Sequence, residues 1–252
     1  MTFENLYGEK LTIELASSDT TQLFTTARRK QAINDAALAF ARITGCTKKY
    51  GSVSIVDGTQ EYDLEANFTD YMRLAGAPSV KIVTSSDTRY IQGPKDLPQR
   101  EAEWLDANDP NWRAVSAGTP QAWYVKSDGG AENLGFYPAP DVGSGETWSV
   151  IVPYVATPLT MSATSDVPFS LGTSPNAMIR LAPFHQALAH GAAASLELLR
   201  KNYSGAQRQT AIFNGYVAQF LGQTRVDGPS VVTFARDYYG EGRRVTVSDP
   251  WR

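Results

Sequence analysis

Cysteine is almost missing from this chain: Cys46 is the only one in 252 residues. An intrachain disulfide is therefore excluded, and a lone thiol suits a reducing compartment. We read Cys46 as a buried structural thiol rather than a reactive one. Histidine is scarce as well, with only His185 and His190. Five residues apart on one helix, they fall on different faces, so the i, i+4 pair used by helical zinc sites is absent. There is no apolar run of eighteen residues and no charged, apolar, small-residue leader, so neither a membrane span nor a signal peptide is expected. Positive charge is not in excess either. Lys and Arg total 23 against 26 Asp and Glu, a net charge of −3. A dedicated nucleic-acid binder would carry a basic footprint instead.

Catalytic patterns are missing too. No glycine-rich stretch precedes Lys-Ser or Lys-Thr as a phosphate loop requires, and "GSGE" lies between predicted strands, where a hairpin turn explains it. No G-x-S-x-G elbow occurs, and Cys46 has no histidine partner nearby in sequence. Carboxylates are plentiful: Asp57, Glu61, Asp63, Glu65 and Asp70, then Asp96, Glu101, Glu103, Asp106 and Asp109. Paired carboxylates could serve glycoside hydrolysis. However, Asp57 is a turn residue, and Glu61 and Asp63 share the strand face opposite Tyr62, so solvated charge is the simpler reading. No catalytic residue, cofactor or metal ligand is assigned, and no enzyme activity is expected.

What the chain does have is a patterned apolar fraction. Hydrophobic residues make up 42% and charged residues 19%, enough to bury a core. The first sixteen residues lack a sustained period and read as an extended arm. In "SSDTTQLFTTARRKQAINDAALAFARITG", Ser17, Ser18 and Asp19 are candidate N-caps, and Ile33, Ala36, Ala37, Phe40 and Ile43 form one helical stripe. Gly45 supplies the stop.

Strands follow. Asp57-Gly58 in "SVSIVDGTQEYDL" is a two-residue turn, and pairing about it sets Val53 opposite Tyr62 and Ile55 opposite Gln60. "YMRLAGAPSVKIV" reads as strand interrupted near Gly76 and Pro78. "LPQREAEWLDAND" reads as a short helix, Leu97 to about Ala107, with Trp104 and Leu105 turned inward. "PQAWYVKSD", "ENLGFYPAP" and "ETWSVIVPYV" then read as an antiparallel meander, with Trp123 and Val125 on one face and Ala122 and Tyr124 on the other. Pro138, Pro140, Pro153 and Pro158 mark strand ends or edges, because proline cannot donate to the ladder.

The block is rich in aromatics: Trp104, Trp112, Trp123, Tyr124, Phe136, Tyr137, Trp148 and Tyr154. They could form a sugar or peptide platform, but β-propensity and core packing explain them more simply.

After the polar linker "TPLTMSATSDVPFSLGTSPN", helix returns. Leu181, Phe184, Leu188, Ala192, Ser195, Leu196 and Leu199 hold one stripe, with Pro183 either a kink or the true start. Ile212, Phe213, Tyr216, Val217, Phe220 and Leu221 hold the next. The short break near Tyr203–Gly205 implies an antiparallel pair. Residues 227–252 read as a tail.

None of the three helices has a stripe wide enough to stand alone. The expected fold is α+β: a helical bundle formed by the N-terminal helix and two C-terminal helices, with an antiparallel β-rich insertion and extended termini. The whole chain, 1–252, reads as one domain: helical core about 17–45 and 175–226, insertion about 51–158, tail 227–252.

The order of these features is also familiar. "ARRKQAINDAALAFARITG", "SVSIVDGTQEYDL", "GTPQAWYV", "LGFYPAPD", "WSVIVPYVATPLT" and "FHQALAHGAAASLELL" follow one another at characteristic spacing. Together they resemble the head-to-tail adaptor (connector or head-completion) proteins of tailed bacteriophages. The match runs from about Asp19 to Leu221. Glu65 stands where the family often has proline, the loop from Ser85 to Ser116 is long, and the tail lies outside the alignment.

What the resemblance implies is a virion protein of the neck, assembled in the host cytoplasm. It would be a homo-oligomer, commonly a twelve-fold ring, docked beneath the portal protein and offering a platform to tail or nozzle proteins. The helical bundle would make subunit contacts and line the channel, with the β-rich part outward or toward the tail. DNA would pass through the lumen without sequence-specific binding, and no membrane is involved. Accumulated negative charge in such a ring would discourage DNA from sticking.

Tyr, Trp and Arg are favoured at interface centres, so Arg236, Tyr238, Tyr239, Arg243, Arg244 and Trp251 are the expected portal or subunit contacts. The alternative reading is a tail-associated receptor- or glycan-binding module that uses the aromatic β-rich region.

Overall fold

The computed structural model describes residues 1–15, 24–170 and 181–223. It is mixed helix and antiparallel sheet, an α+β protein. The first residues depart from the expected extended arm. A π-helical run, Asn5–Lys10, continues into one α-turn, Leu11–Glu14 (α1). Phe3, Leu6, Leu11 and Leu15 are all buried on it. The wider i→i+5 repeat of a π-turn puts Leu6 and Leu11 on one side, a spacing that a 3.6-residue test overlooks.

Helix α2 spans Thr26–Thr44. Its cap is Thr25, whose hydroxyl accepts from the Arg28 N–H at 3.3 Å; the expected caps Ser17, Ser18 and Asp19 lie outside the described residues. Gly45 ends it as expected, with φ of +63° and its N–H on the Ala41 carbonyl at 2.8 Å. Ile33, Ala36, Ala37 and Phe40 are buried, whereas Ile43 is half exposed.

Strand β1 (Lys48–Ser54) follows at once. Next come β2 (Glu61–Asp63), the single turn α3 (Leu64–Asn67), β3 (Tyr71–Leu74), β4 (Ser79–Val83) and β5 (Thr88–Ile91). Two short helices, α4 (Gly93–Asp96) and α5 (Ala102–Asn108), and a 3₁₀ turn, Trp112–Ala114, lead to β6 (Ala122–Asp128), β7 (Ala131–Tyr137) and β8 (Thr147–Ala156). The long helices α6 (His185–Leu199) and α7 (Tyr203–Gln223) close the described chain. Leu181 to Phe184 form a 3₁₀ turn before α6, so Pro183 marks the start rather than a kink.

The strands sort into two sheets, which corrects the expected pairings. In the first sheet the order is β1-β8-β4-β5, with β3 pairing a later part of β8; in the second it is β2-β7-β6. The Asp57-Gly58 turn exists, with Gly58 at φ of +69° and the Thr59 N–H on the Val56 carbonyl at 3.0 Å. Yet it is a corner and not a hairpin: β1 pairs β8, with Val53 against Val150, and β2 pairs β7, with Tyr62 against Leu134. The meander is likewise only half present, because β6 and β7 pair while β8 crosses to the other sheet.

Pro153 sits inside β8 rather than at its end. There β4 stops at Ser79–Ile151 and β3 takes over at Leu74–Tyr154. The Pro153 carbonyl accepts from Ala75 at 2.9 Å, so the missing N–H falls on the same side, at the break between partners.

Val80, Ile82, Trp148, Val150 and Val152 of the first sheet share one apolar cluster with Tyr62, Trp123, Leu134 and Phe136 of the second. The far side of the second sheet is covered as well. Tyr124 packs there with Trp112 and Leu105, ring centroids of Trp112 and Tyr124 being 5.1 Å apart. Leu105 of α5 is therefore inward as expected, but Trp104 is 45% exposed, and the helix starts at Ala102 rather than Leu97.

The helices form a second core. Ile33 and Phe40 of α2, Leu188 and Leu196 of α6, and Phe213 and Val217 of α7 share a cluster with Phe3, Leu6 and Leu11. Phe40 is its hub, within about 6 Å (ring centroids) of Phe169, Phe184, Phe213 and Phe220. The linker joins in: Met161 and Phe169 are buried, and the Asn34 amide holds the Met161 backbone through two bonds of 3.0 Å.

One position should test the sheet packing sharply. Gly135 lies opposite Tyr124, and a Cβ there would sit 2.1 Å from the Tyr124 ring. Gly135→Ala should destabilise by about 3 kcal/mol, read from denaturant midpoints. In a Tyr124→Leu background the same change should cost much less, because the blocking ring is gone.

Candidate interface surfaces

The acidic residues are the candidate acids and bases of the β-rich block. Most are spoken for. The Asp57 carboxylate accepts from the Val142 N–H at 2.9 Å, tying the corner to the β7–β8 loop. Asp63 caps α3 through the Ala66 N–H at 2.9 Å. Asp70 accepts from the Tyr154 hydroxyl at 2.8 Å and pairs with Lys49; burial pushes its pKa up, but these two partners outweigh that and hold it below the usual carboxylate range.

Glu61 accepts from the Tyr124 hydroxyl, and Asp109 from that of Tyr137, each at 3.0 Å. Asp106 accepts from Arg113 and from the Trp112 indole N–H, which lower its pKa. Reading them all as solvated charge therefore needs correction: several fasten aromatic side chains between layers. Among the described residues no cluster of three His, Cys, Asp or Glu could hold a metal ion.

Cys46 lies partly buried beside the helical core, and burial pushes its thiol up to about 11. At neutral pH almost none of it is thiolate, the nucleophilic form. The two histidines do face different ways. His190 Nδ1 lies 2.7 Å from Gln209 Oε1 and 3.3 Å from Glu14 Oε2, joining α1, α6 and α7. His185 is buried next to the Phe169 ring, and neither ring nitrogen has a hydrogen-bond partner. Burial depresses its pKa to about 4.

The aromatic set is core. Trp112, Trp123, Tyr124, Phe136, Trp148 and Tyr154 are all buried, and of the eight only Trp104 is markedly exposed. Open hollows occur on the surface of the described residues. One, about 480 Å³, lies on the first sheet, lined by Tyr50, Pro78, Ile151 and Pro153 among others. The second, about 440 Å³, is lined by Lys49, Phe68, Asp70 and Leu159 among others. In the second, the Asp70 carboxylate is already engaged by Lys49 and the Tyr154 hydroxyl. The tail residues Arg236, Tyr238, Tyr239, Arg243, Arg244 and Trp251 lie outside the described residues.

Surface, then, is what the molecule offers. Leu198, Leu199 and Tyr203, at the α6–α7 turn, are 54%, 57% and 64% exposed. Leu199 was expected in the stripe, but the helix ends there and turns it outward; the adjoining "LLRKNY", apolar then basic, is the signal that could have marked it. Charge is also segregated. Residues 51–158 carry fifteen acidic and seven basic side chains, whereas 26–44 and 185–223 together carry two acidic and seven basic.

The described residues thus form an α+β fold with two large apolar cores, anchored carboxylates and exposed apolar tips. The sequence matches the SU10 adaptor protein family over residues 1–234, nearly its whole length. The chain belongs to that family, a family of phage head-to-tail adaptors. No curated protein matches it. Among the described residues, no helix is long and apolar enough to cross a membrane.

Two measurements check the buried groups. Alkylation of Cys46 by iodoacetamide at pH 8 should be slow in the native protein and fast in denaturant. His185 has a folded pKa below its ordinary 6.5, so the unfolded chain binds the extra proton between about 6.5 and 4. Stability should therefore fall as pH drops through that window, by about 2 kcal/mol at pH 5, and His185→Leu should remove that part of the slope.

Proposed function

We propose that this protein is a head-to-tail adaptor whose copies form a ring, commonly twelve-fold in such adaptors, beneath the portal. The ring extends the DNA channel and offers the tail its docking platform. The observation that carries this reading is the family match across residues 1–234, which spans both helical ends and the β-rich middle. In this reading the chain is one adaptor domain of the virion neck, assembled in the host cytoplasm. The helices at the two ends close into a bundle, and the β-rich block forms an outgrowth from it. Portal and tail or nozzle proteins are its partners, and DNA passes through without sequence reading.

The segregated charge refines one part of this picture. A net charge of −3 does not by itself make an acidic lumen, because the long helices are basic and the sheets acidic. DNA passage without sticking favours an acidic or neutral lining. The basic helical faces then belong at protein contacts rather than on the channel wall.

The glycan-binding alternative loses its main support, since all the aromatics that would form a platform except Trp104 are buried or half-buried. The tail keeps its assigned role: Arg236, Tyr238, Tyr239, Arg243, Arg244 and Trp251 contact the portal or a neighbouring subunit. A chain ending at Val226 should fold with an unchanged thermal midpoint yet fail to join portal-bearing heads. Negative-stain imaging with and without portal reads this out, and normal joining by the shortened chain overturns the assignment.

A further inference from the structure

We infer that the contact between neighbouring copies is heterologous, with the α6–α7 turn of one copy seated against α5 of the next. This rests on the ring reading above and names the surfaces that would build it. A ring needs two different, complementary patches on each subunit, because a self-complementary patch closes at a dimer.

The first patch is the turn. Leu198, Leu199 and Tyr203 stand exposed on it with Lys201 between them, and Arg208 is exposed five residues further along α7. Among the described residues, neither the Lys201 nor the Arg208 side chain makes a hydrogen bond or ion pair. The turn is also rigid. The buried Glu197 carboxylate accepts from Arg200 Nε at 2.6 Å and Nη2 at 2.8 Å, and from the Asn202 amide at 2.8 Å. Lys201 adopts φ of +62°, and Asn202 Oδ1 accepts from the Gly205 N–H at 3.2 Å to start α7. A tip already held in shape loses little freedom on docking.

The second patch is α5. Trp104 is exposed and stacked under the Arg100 guanidinium, 4.6 Å from the ring centroid. Glu101 and Glu103 flank it, exposed, and their carboxylates have no partner among the described residues. From 100 to 113 the chain carries Glu101, Glu103, Asp106 and Asp109 against Arg100 and Arg113, an acidic balance. From 197 to 208 it carries Arg200, Lys201 and Arg208 against Glu197, a basic one.

The patches are therefore opposite in sign, and each holds large exposed apolar side chains. Trp, Tyr and Arg are the types that concentrate binding energy at interface centres. The wider segregation of charge, basic long helices and acidic sheet block, orients two copies the same way before contact. The first patch adjoins the helical core and the second the outer face of β6, on separate apolar clusters.

The test uses the full chain assembled on portal-bearing heads, with Leu199→Cys and Trp104→Cys combined and a short bis-maleimide as cross-linker. The expected result is a covalent ladder of subunits, while either substitution alone gives no adaptor–adaptor product. A ladder absent from particles that show the ring by imaging overturns this contact and leaves the ring intact. Dimers from the Leu199→Cys variant alone, or its cross-linking to portal, overturn it too. No ring in any particle removes the reading beneath it.

Charge exchange supplies a second arm. Lys201→Glu with Arg208→Glu should reduce ring occupancy about tenfold, and adding Glu101→Lys with Glu103→Lys should restore it. Reduction without restoration, at unchanged thermal midpoints, counts against the pairing.

Discussion

Everything in this fold hangs on the pairing of β1 with β8. The two strands run antiparallel from Lys48–Val155 to Ser54–Ser149, so the strand-rich block is closed by its own first and last strands. Helix α2 ends three residues before β1 begins, and the linker toward α6 leaves directly from β8. Pairing the strands therefore delivers α2 to the helices that follow. The Ala156 N–H on the Thr47 carbonyl, at 3.0 Å, extends the ladder up to the junction. Closing a loop of about a hundred residues costs roughly 4 kcal/mol in chain entropy. The apolar clusters on both sides of the junction offset it.

This closure explains which readings of the sequence succeeded. Local signals were legible: the Gly45 stop, the stripe from Ile33 to Phe40, the interruption between β3 and β4, and the alternation of Trp123 and Tyr124 all depend on neighbours in the chain. Partner choice was not legible. Asp57-Gly58 has hairpin chemistry, yet the residues before it have a better partner in β8, seven residues long against the three of β2. A turn motif favours a bend and says nothing about which sheet each arm joins. The N-terminal segment failed for another reason, since its π-turn places Leu6 and Leu11 together at a spacing outside the ordinary helical repeat.

The surfaces were harder still. Trp104 and Leu199 were both expected inside on the strength of their hydrophobicity and spacing, and both point out. In each case the neighbour took the buried place, Leu105 under Trp112 and Leu196 beside the core. A helix end offers room for only some of its apolar residues. Which of them is left outside follows from where the helix stops, and side-chain bonds across the turn, such as the Glu197 cluster, help to set that.

The carboxylates connect these points to function. An acidic residue that caps a turn or holds a tyrosine cannot also serve as a mobile acid or base without giving up that bond. Asp57, Asp63, Asp70 and Asp109 each make such a bond, which stiffens the β-rich block. Such fastening suits a subunit of the proposed ring, where error in each contact would add up on closure. Among the acids that fasten nothing, Glu101 and Glu103 sit at the start of a short helix anchored by a small apolar cluster. Charge that fastens nothing inside the subunit is free to be matched from outside, and the rigid basic turn between α6 and α7 has the opposite sign.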